Sequence, residues 1–173
     1  MTTQMIIRHF PEWTLNGFGD IHFTDLYKVR LKNDPRYSVD YLTRRCLSYN
    51  PFWVKFLLRI RDALVKPFGL KAGQVKDQHE VLYFEKGTIL VYFHVSERNE
   101  ETIVLEEKDK HLNFRILAMV INGETIDEVE YYFSTLVHFN NIFGRVYFTL
   151  IRPFHSLMLI GMFNYLKNSE NAC

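Results

Sequence analysis

Cysteine is nearly missing from these 173 residues: Cys46 and Cys173 are the two present, and the second is the terminal residue, where chains commonly fray. That supply excludes a disulfide scaffold, and both side chains read as free thiols in a reducing cytoplasm. Net charge is missing too. Twenty-one Lys plus Arg against twenty Asp plus Glu leave a formal +1, so no strong field draws a polyanion, and nucleic acid is not expected as a partner. Long hydrophobic runs are absent. The longest, Leu157 to Phe163, falls far short of the roughly 20 residues a spanning helix needs, and the opening MTTQMIIRHFPEW has no stretch of signal-peptide length. A protein without stable membrane insertion, and not secreted, is expected.

Motifs for metal and cofactor chemistry are lacking as well. The seven histidines are scattered, with no HExxH and no paired cysteine spacing. No P-loop, dinucleotide fingerprint or nucleophile elbow occurs, so neither a metal nor a cofactor is expected and no catalytic residue can be assigned. Gly17-Phe18-Gly19 reads only as a flexible approach to the first strand.

Aromatics are what the chain has in plenty, at 16% with fifteen Phe and ten Tyr. They bury large areas with few rotatable bonds, which suits a thick core or the lining of an apolar pocket. The composition otherwise fits a single globular domain over residues 1–173, with its core at about 20–166 and no repeat, linker or low-complexity tract.

Periodicity predicts the architecture. Asp20 to Leu31 alternates as a first strand, and Asn33-Asp34-Pro35 ends it. Ser38 is an expected N-cap for a short helix through about Cys46, and Asn50-Pro51 opens another that runs to about Lys66 and stops at Pro67. From Glu80 the period becomes two. Val81–Glu85, Thr88–Ser96, Thr102–Glu107, His111–Ile121 and Ile126–Phe139 read as strands whose short connectors make neighbours antiparallel. Asn141 to Leu166 then reads as one long helix with Pro153 at a kink. On a period of about 3.6, Phe143, Tyr147, Leu150, Phe154, Met158, Gly161 and Tyr165 form one apolar face, expected to lie on the sheet, with Arg145, Thr149, Arg152 and Ser156 opposite. The fold class is therefore α+β: a curved antiparallel sheet wrapped around a long C-terminal helix, with two short helices between strands 1 and 2.

Three stretches carry a resemblance. Pro51-Phe52-Trp53 leading to Leu58–Asp62 and Phe68-Gly69-Leu70, then Asp109–Arg115, then Gly144–Phe148 leading to Pro153-Phe154-His155, resemble a bacterial family of uncharacterised domains within the START-like, or SRPBCC, helix-grip superfamily. Asp62 and Asn113 stand where that family would have Asn and Asp. The resemblance, spanning about Asp20 to Met162, implies a helix-grip fold with a cavity for sterols, lipids or other apolar ligands.

A few polar residues could furnish such a cavity. Arg61 falls among Val54, Leu57, Leu58, Leu64 and Val65 on its helix, and a guanidinium placed there needs an acid such as Asp25 or Asp109, a route to the surface, or a ligand anion. His111, Asn113 and Arg115 share one strand face, which is either a solvated outer face or one end of a cavity. Tyr147 could offer its hydroxyl, and His155 lies at the border of the helix's two sides, as a packing residue or a proton carrier. The reading is non-covalent binding of a small apolar or amphiphilic ligand by Arg61, His111, Asn113, Arg115, Tyr147 and His155. The alternatives are an acid–base enzyme of cyclase, isomerase or dehydratase type using the same cavity, and a protein-interaction module built on Leu157–Phe163. A homodimer is compatible with all three.

Overall fold

A computed structural model of the chain describes residues 8–49, 51–53, 55, 83–90 and 93–170. Six strands form one antiparallel sheet: β1 (Phe23–Lys32), β2 (Ile89–Leu90), β3 (Phe93–Arg98), β4 (Thr102–Lys108), β5 (Leu112–Asn122) and β6 (Glu128–Phe139), in the order β1-β6-β5-β4-β3-β2. Helix α1 (Val39–Leu47) follows β1, and helix α2 (Ile142–Glu170) closes the fold. The curved sheet with a long closing helix is the α+β architecture expected from the periodicity. Ser38 caps α1 as its position predicts, its hydroxyl accepting the Tyr41 N–H at 3.1 Å. Of the second short helix, the opening turn is described, with Lys55 N–H donating to the Pro51 carbonyl at 3.3 Å. Asn50, Val54 and residues 56–66 of the expected helix, Arg61 among them, lie outside the described residues, as do Val81, Leu82 and Cys173.

One predicted strand is two. Thr88–Ser96 was expected to run straight, whereas Ile89 pairs with His94 and Leu90 with Phe93, so β2 and β3 are the arms of a hairpin. The stretch contains no Gly, Pro, Asn or Asp, so nothing in its composition marks a reversal. A bulge between Val95 and Glu97 then re-aims β3. Val95 pairs with Leu105 and Arg98 with Ile103, so both point to the inner face although three residues apart, a spacing that would put them on opposite faces of a regular strand. Arg98 thereby reaches Asp40 on α1 at 2.8 Å and the Phe84 carbonyl at 2.8 Å, while Asp40 accepts the Phe84 N–H at 2.7 Å. This buried pair pins α1 and the returning chain to β3.

The sheet is covered on both faces. On the inner face Val29, Leu31, Leu105, Ile116, Tyr131 and Phe133 pack with Leu42 and Cys46 of α1 and with Leu159, Phe163 and Leu166 of α2. Burial pushes the Cys46 thiol up to about 12, so it is an inert core residue. On the outer face Val104, Leu117, Met119, Tyr132 and Leu136 pack under Phe10, Trp13, Leu15 and Phe18. Gly17-Phe18-Gly19 is thus a built turn and not a loose approach. Both glycines have positive φ, 67° and 86°, which lets the chain double back and bury Phe18 to 4% exposure.

The closing helix seats through two glycines of unequal tolerance. A Cβ at position 144 would lie 2.0 Å from the His111 carbonyl oxygen, a backbone atom that cannot swing aside. One at position 161 would meet the far end of the Tyr49 ring at 2.7 Å, which can move. Alanine gains about 1 kcal/mol over glycine inside a helix, so the two substitutions separate cleanly. Gly144→Ala is expected to lose about 1 to 3 kcal/mol or more of stability through overpacking, and Gly161→Ala to be near neutral, both read from urea unfolding midpoints.

Candidate functional site

Helix α2 begins at a side-chain cap. The Asn141 Oδ1 accepts the Gly144 N–H at 3.1 Å, its amide donates to the Lys110 carbonyl, and the Asn140 N–H donates to the His111 carbonyl at 2.9 Å. From there Gly144, Phe148, Leu159, Met162, Phe163, Leu166 and Glu170 are buried. Phe148 packs on Phe23 at 4.7 Å and Phe163 on Tyr27, Tyr131 and Phe133 at 5.5 to 6.1 Å. At the far end Glu170 is held by Arg45 at 3.0 Å and by the Tyr41 hydroxyl at 3.2 Å. The first half of the face expected to meet the sheet is instead turned out, while Met158 and Gly161 of that face stay half-buried, on the core and against Tyr49. Phe143 is 60% exposed, Leu150 66% and Phe154 46%, joined by Ile142, Val146, Leu157 and Ile160. The seated face lies about one residue further round the wheel, because the helix is apolar nearly all round and the missing side chain at Gly144 lets its first turn close onto the His111 backbone.

Beneath α2 lies a small polar group with aromatic walls. The His155 Nε2 is 3.1 Å from Asp25 Oδ2, and the other Asp25 oxygen accepts the Thr135 N–H at 2.8 Å. Phe23, Phe114 and Phe148 surround the imidazole with ring centroids at 5.8 to 6.4 Å. Thr135 is paired with Asp25 across the β1–β6 ladder, fully buried, and its hydroxyl has no hydrogen-bond partner. Nearby, burial and the Asp25 charge push the Tyr27 phenol up, against the effect of a hydrogen bond with Ser156. Asp25 satisfies its charge with a backbone amide and an imidazole, the arrangement a buried carboxylate requires.

A family model for a protein of unknown function, DUF2867, matches residues 18–162, running from the turn before β1 through most of α2. The chain belongs to the DUF2867 family. No curated protein and no solved structure matches it. The open antiparallel sheet with its closing helix is compatible with the helix-grip superfamily expected from the sequence.

Within this DUF2867 domain the residues singled out from the sequence do not converge. His155 faces inward onto Asp25. His111 sits at the start of α2, its ring 3.2 Å from the Asn141 side chain and edge-on to Phe143. Tyr147 is half-buried on α2, and Arg61 lies outside the described residues. Asn113 accepts from the Asn140 amide at 3.1 Å. The face carrying Arg115 points neither into a cavity under α2 nor to solvent. Arg115 is buried beneath the N-terminal segment, where its guanidinium bonds Glu106, the Thr14 carbonyl at 2.7 Å and the Asn16 carbonyl at 3.0 Å. It is a structural clasp for that segment. Asp25 and Thr135, the polar residues that do lie under α2, were legible only as breaks in inward rows that are otherwise aromatic or aliphatic: Phe23, Tyr27, Val29 on β1 and Tyr131, Phe133, Val137 on β6.

Two depressions among the described residues are turn surfaces. One of about 280 Å³ lies between Asn33 and the Asn122–Ile126 turn, and one of about 240 Å³ at Asn99–Glu101. Neither lies under α2. Among the described residues no group of three or more potential ligands gathers for a metal.

The Asp25–His155 contact can be measured by a double-mutant cycle. Asp25→Asn, His155→Gln and the double variant should give a coupling of about 0.5 to 3 kcal/mol in denaturant unfolding. Strict additivity would show that the two side chains do not meet in solution.

Proposed function

We propose that the protein is a binding module whose working surface is the outward face of α2, and that it takes apolar or amphiphilic matter there. One observation carries this reading: seven large hydrophobics stand exposed along a single helix, between Ile142 and Ile160, in a domain whose sheet is otherwise covered on both faces. Exposed apolar residues scattered singly are ordinary, but Phe143, Val146, Leu150, Phe154, Leu157 and Ile160 recur every three or four residues and make one continuous stripe. Removing such a stripe from water is worth about 25 cal/mol per Å² of apolar area, so an amphiphile or an apolar surface is the natural occupant.

Binding inside the fold has less support. The room between α2 and the sheet is taken by Phe23, Tyr27, Phe133, Phe148 and Phe163. An acid–base enzyme would need His111 or His155 beside Arg61 or Arg115, and Arg115 is engaged on the opposite sheet face.

An amphiphilic dye tests the reading directly. Anilinonaphthalene sulfonate is expected to brighten on the folded protein, and Leu150→Ser with Leu157→Ser to remove most of that signal while stability changes by no more than about 0.5 kcal/mol per exposed site. Dye fluorescence unchanged by the pair, or no brightening of the folded wild type, would mean that the outward face is not a binding surface.

A further inference from the structure

We infer that α1 carries a binding site for a small oxyanion, a carboxylate or phosphate group, centred on the guanidinium of Arg44; the site stands apart from the outward face of α2. Asp40 and Arg44 lie four residues apart on α1, the spacing at which an acid and an arginine on one helix face ordinarily pair. Here the acid is already taken. Asp40 is bonded by Arg98, at 2.8 Å from Nη1 and 3.2 Å from Nη2, and by the Phe84 N–H at 2.7 Å. Arg44 lies instead over the buried Phe84 ring, its guanidinium carbon 5.0 Å from the centroid. Among the described residues its Nε and Nη2 are buried without a hydrogen-bond partner.

The donors left over define the ligand. Nε and Nη2 form one edge of the guanidinium, the fork that takes two oxygens of a carboxylate or a phosphate side by side. Arg98, which gives both terminal nitrogens to Asp40, adds a third buried donor without a partner, its own Nε. Charge runs the same way. Two guanidiniums against the single Asp40 carboxylate leave a positive charge around Phe84, while Glu85 is exposed and Glu170, further along α1, is held by Arg45 and Tyr41. The deficit is therefore both of acceptors and of negative charge, and an oxyanion supplies the two together. A neutral ligand would leave the charge unmet, and a metal cation has the wrong sign.

The cluster lies just below the surface. Arg44 is half-buried, and Tyr83, whose ring centroid is 3.7 Å from the Arg98 guanidinium carbon, is 54% exposed. Turning these two side chains gives an anion access without opening the sheet core. The competing account is an arginine held by its ring contact alone. A cation over an aromatic ring uses the face of the guanidinium and leaves the N–H edge unmet. Asp40, Glu106, Arg115 and Glu170, the other buried charges near α1 and the sheet, all have hydrogen-bond partners. Arg44 breaks that pattern with two donors on one edge.

Anion titration of the full chain tests the site. In nitrogen-15 spectra the Arg44 Nε–H resonance, identified by its loss in Arg44→Lys, should shift and saturate with inorganic phosphate or with acetate at constant ionic strength, and stay put with chloride. The urea midpoint should rise along the same saturation curve, since the anion binds the folded chain. Arg44→Lys keeps the charge without the fork and should bind roughly tenfold more weakly, the equivalent of one charge-assisted hydrogen bond. Arg44→Met should keep only the unsaturating salting effect that phosphate exerts on any protein. Arg36→Gln, which removes an exposed cation paired with Asp34, should leave the titration unchanged. Whichever of acetate and phosphate binds more tightly names the group the site takes. No saturating shift with either anion would overturn the inference, whether or not the variants fold. So would equal affinity in Arg44→Lys, which would reduce the fork to a point charge, and so would a saturating rise that persists in Arg44→Met.

Discussion

The closing helix has two apolar faces, of which the described residues cover one, so the rotation of α2 about its axis is the constraint on which the surface chemistry depends. That rotation is set where the first turn of the helix meets the His111 backbone, just before β5. Gly144 comes so close to the His111 carbonyl that no side chain fits, which turns Phe148 inward one turn later and leaves Phe143 and Val146 outside. Further along, His155 meets Asp25 and Glu170 meets Arg45, so three contacts over 29 residues agree on one rotation. Turning the helix by one residue would strand an imidazole, a carboxylate and an overpacked first turn together.

The ion pairs of the domain are staples between layers. Arg98–Asp40 ties β3 to α1, Arg45–Glu170 ties α1 to the end of α2, and Arg115 clasps the N-terminal segment to the outer face. Arg98, Asp40, Glu170 and Arg115 are met by hydrogen bonds in addition to their counter-ions, the condition under which a buried charge is tolerated. Among the described residues, Nε and Nη2 of Arg44 and Nε of Arg98 are buried without a hydrogen-bond partner, and so is Thr135. Its hydroxyl is fully buried and unpartnered beside Asp25, the one described position under α2 where a polar group is left unsatisfied.

Much of this was legible in the residues. Alternation located β1, β4, β5 and β6 to within a few positions, Ser38 marked the start of α1, and the long apolar period ending at Leu166 marked α2. What could not be read was which way things turn. A helix apolar on nearly all sides offers no polar side to tell its buried face from its open one, and the deciding residue, Gly144, acts through a backbone atom far away in sequence. The hairpin within Thr88–Ser96 has no turn residue to announce it, and the bulge that sends Arg98 inward shifts the two-residue period by one. Arg115 looked like a cavity arginine because strand alternation does not say which face is covered, and the segment that covers it, Phe10 to Ile21, has no periodicity of its own.

Solvent access along α2 is therefore the most direct test of the account. Leu150→Cys and Leu159→Cys place single thiols on the two faces of the same helix, one 66% exposed and the other 1%. With alkylation followed by mass spectrometry on the native protein, Cys at position 150 should react at the rate of a free peptide thiol, and Cys at position 159 only at the rate of unfolding. Equal rates, or faster reaction at 159, would show that α2 buries its other face, and the binding surface proposed on it would not exist.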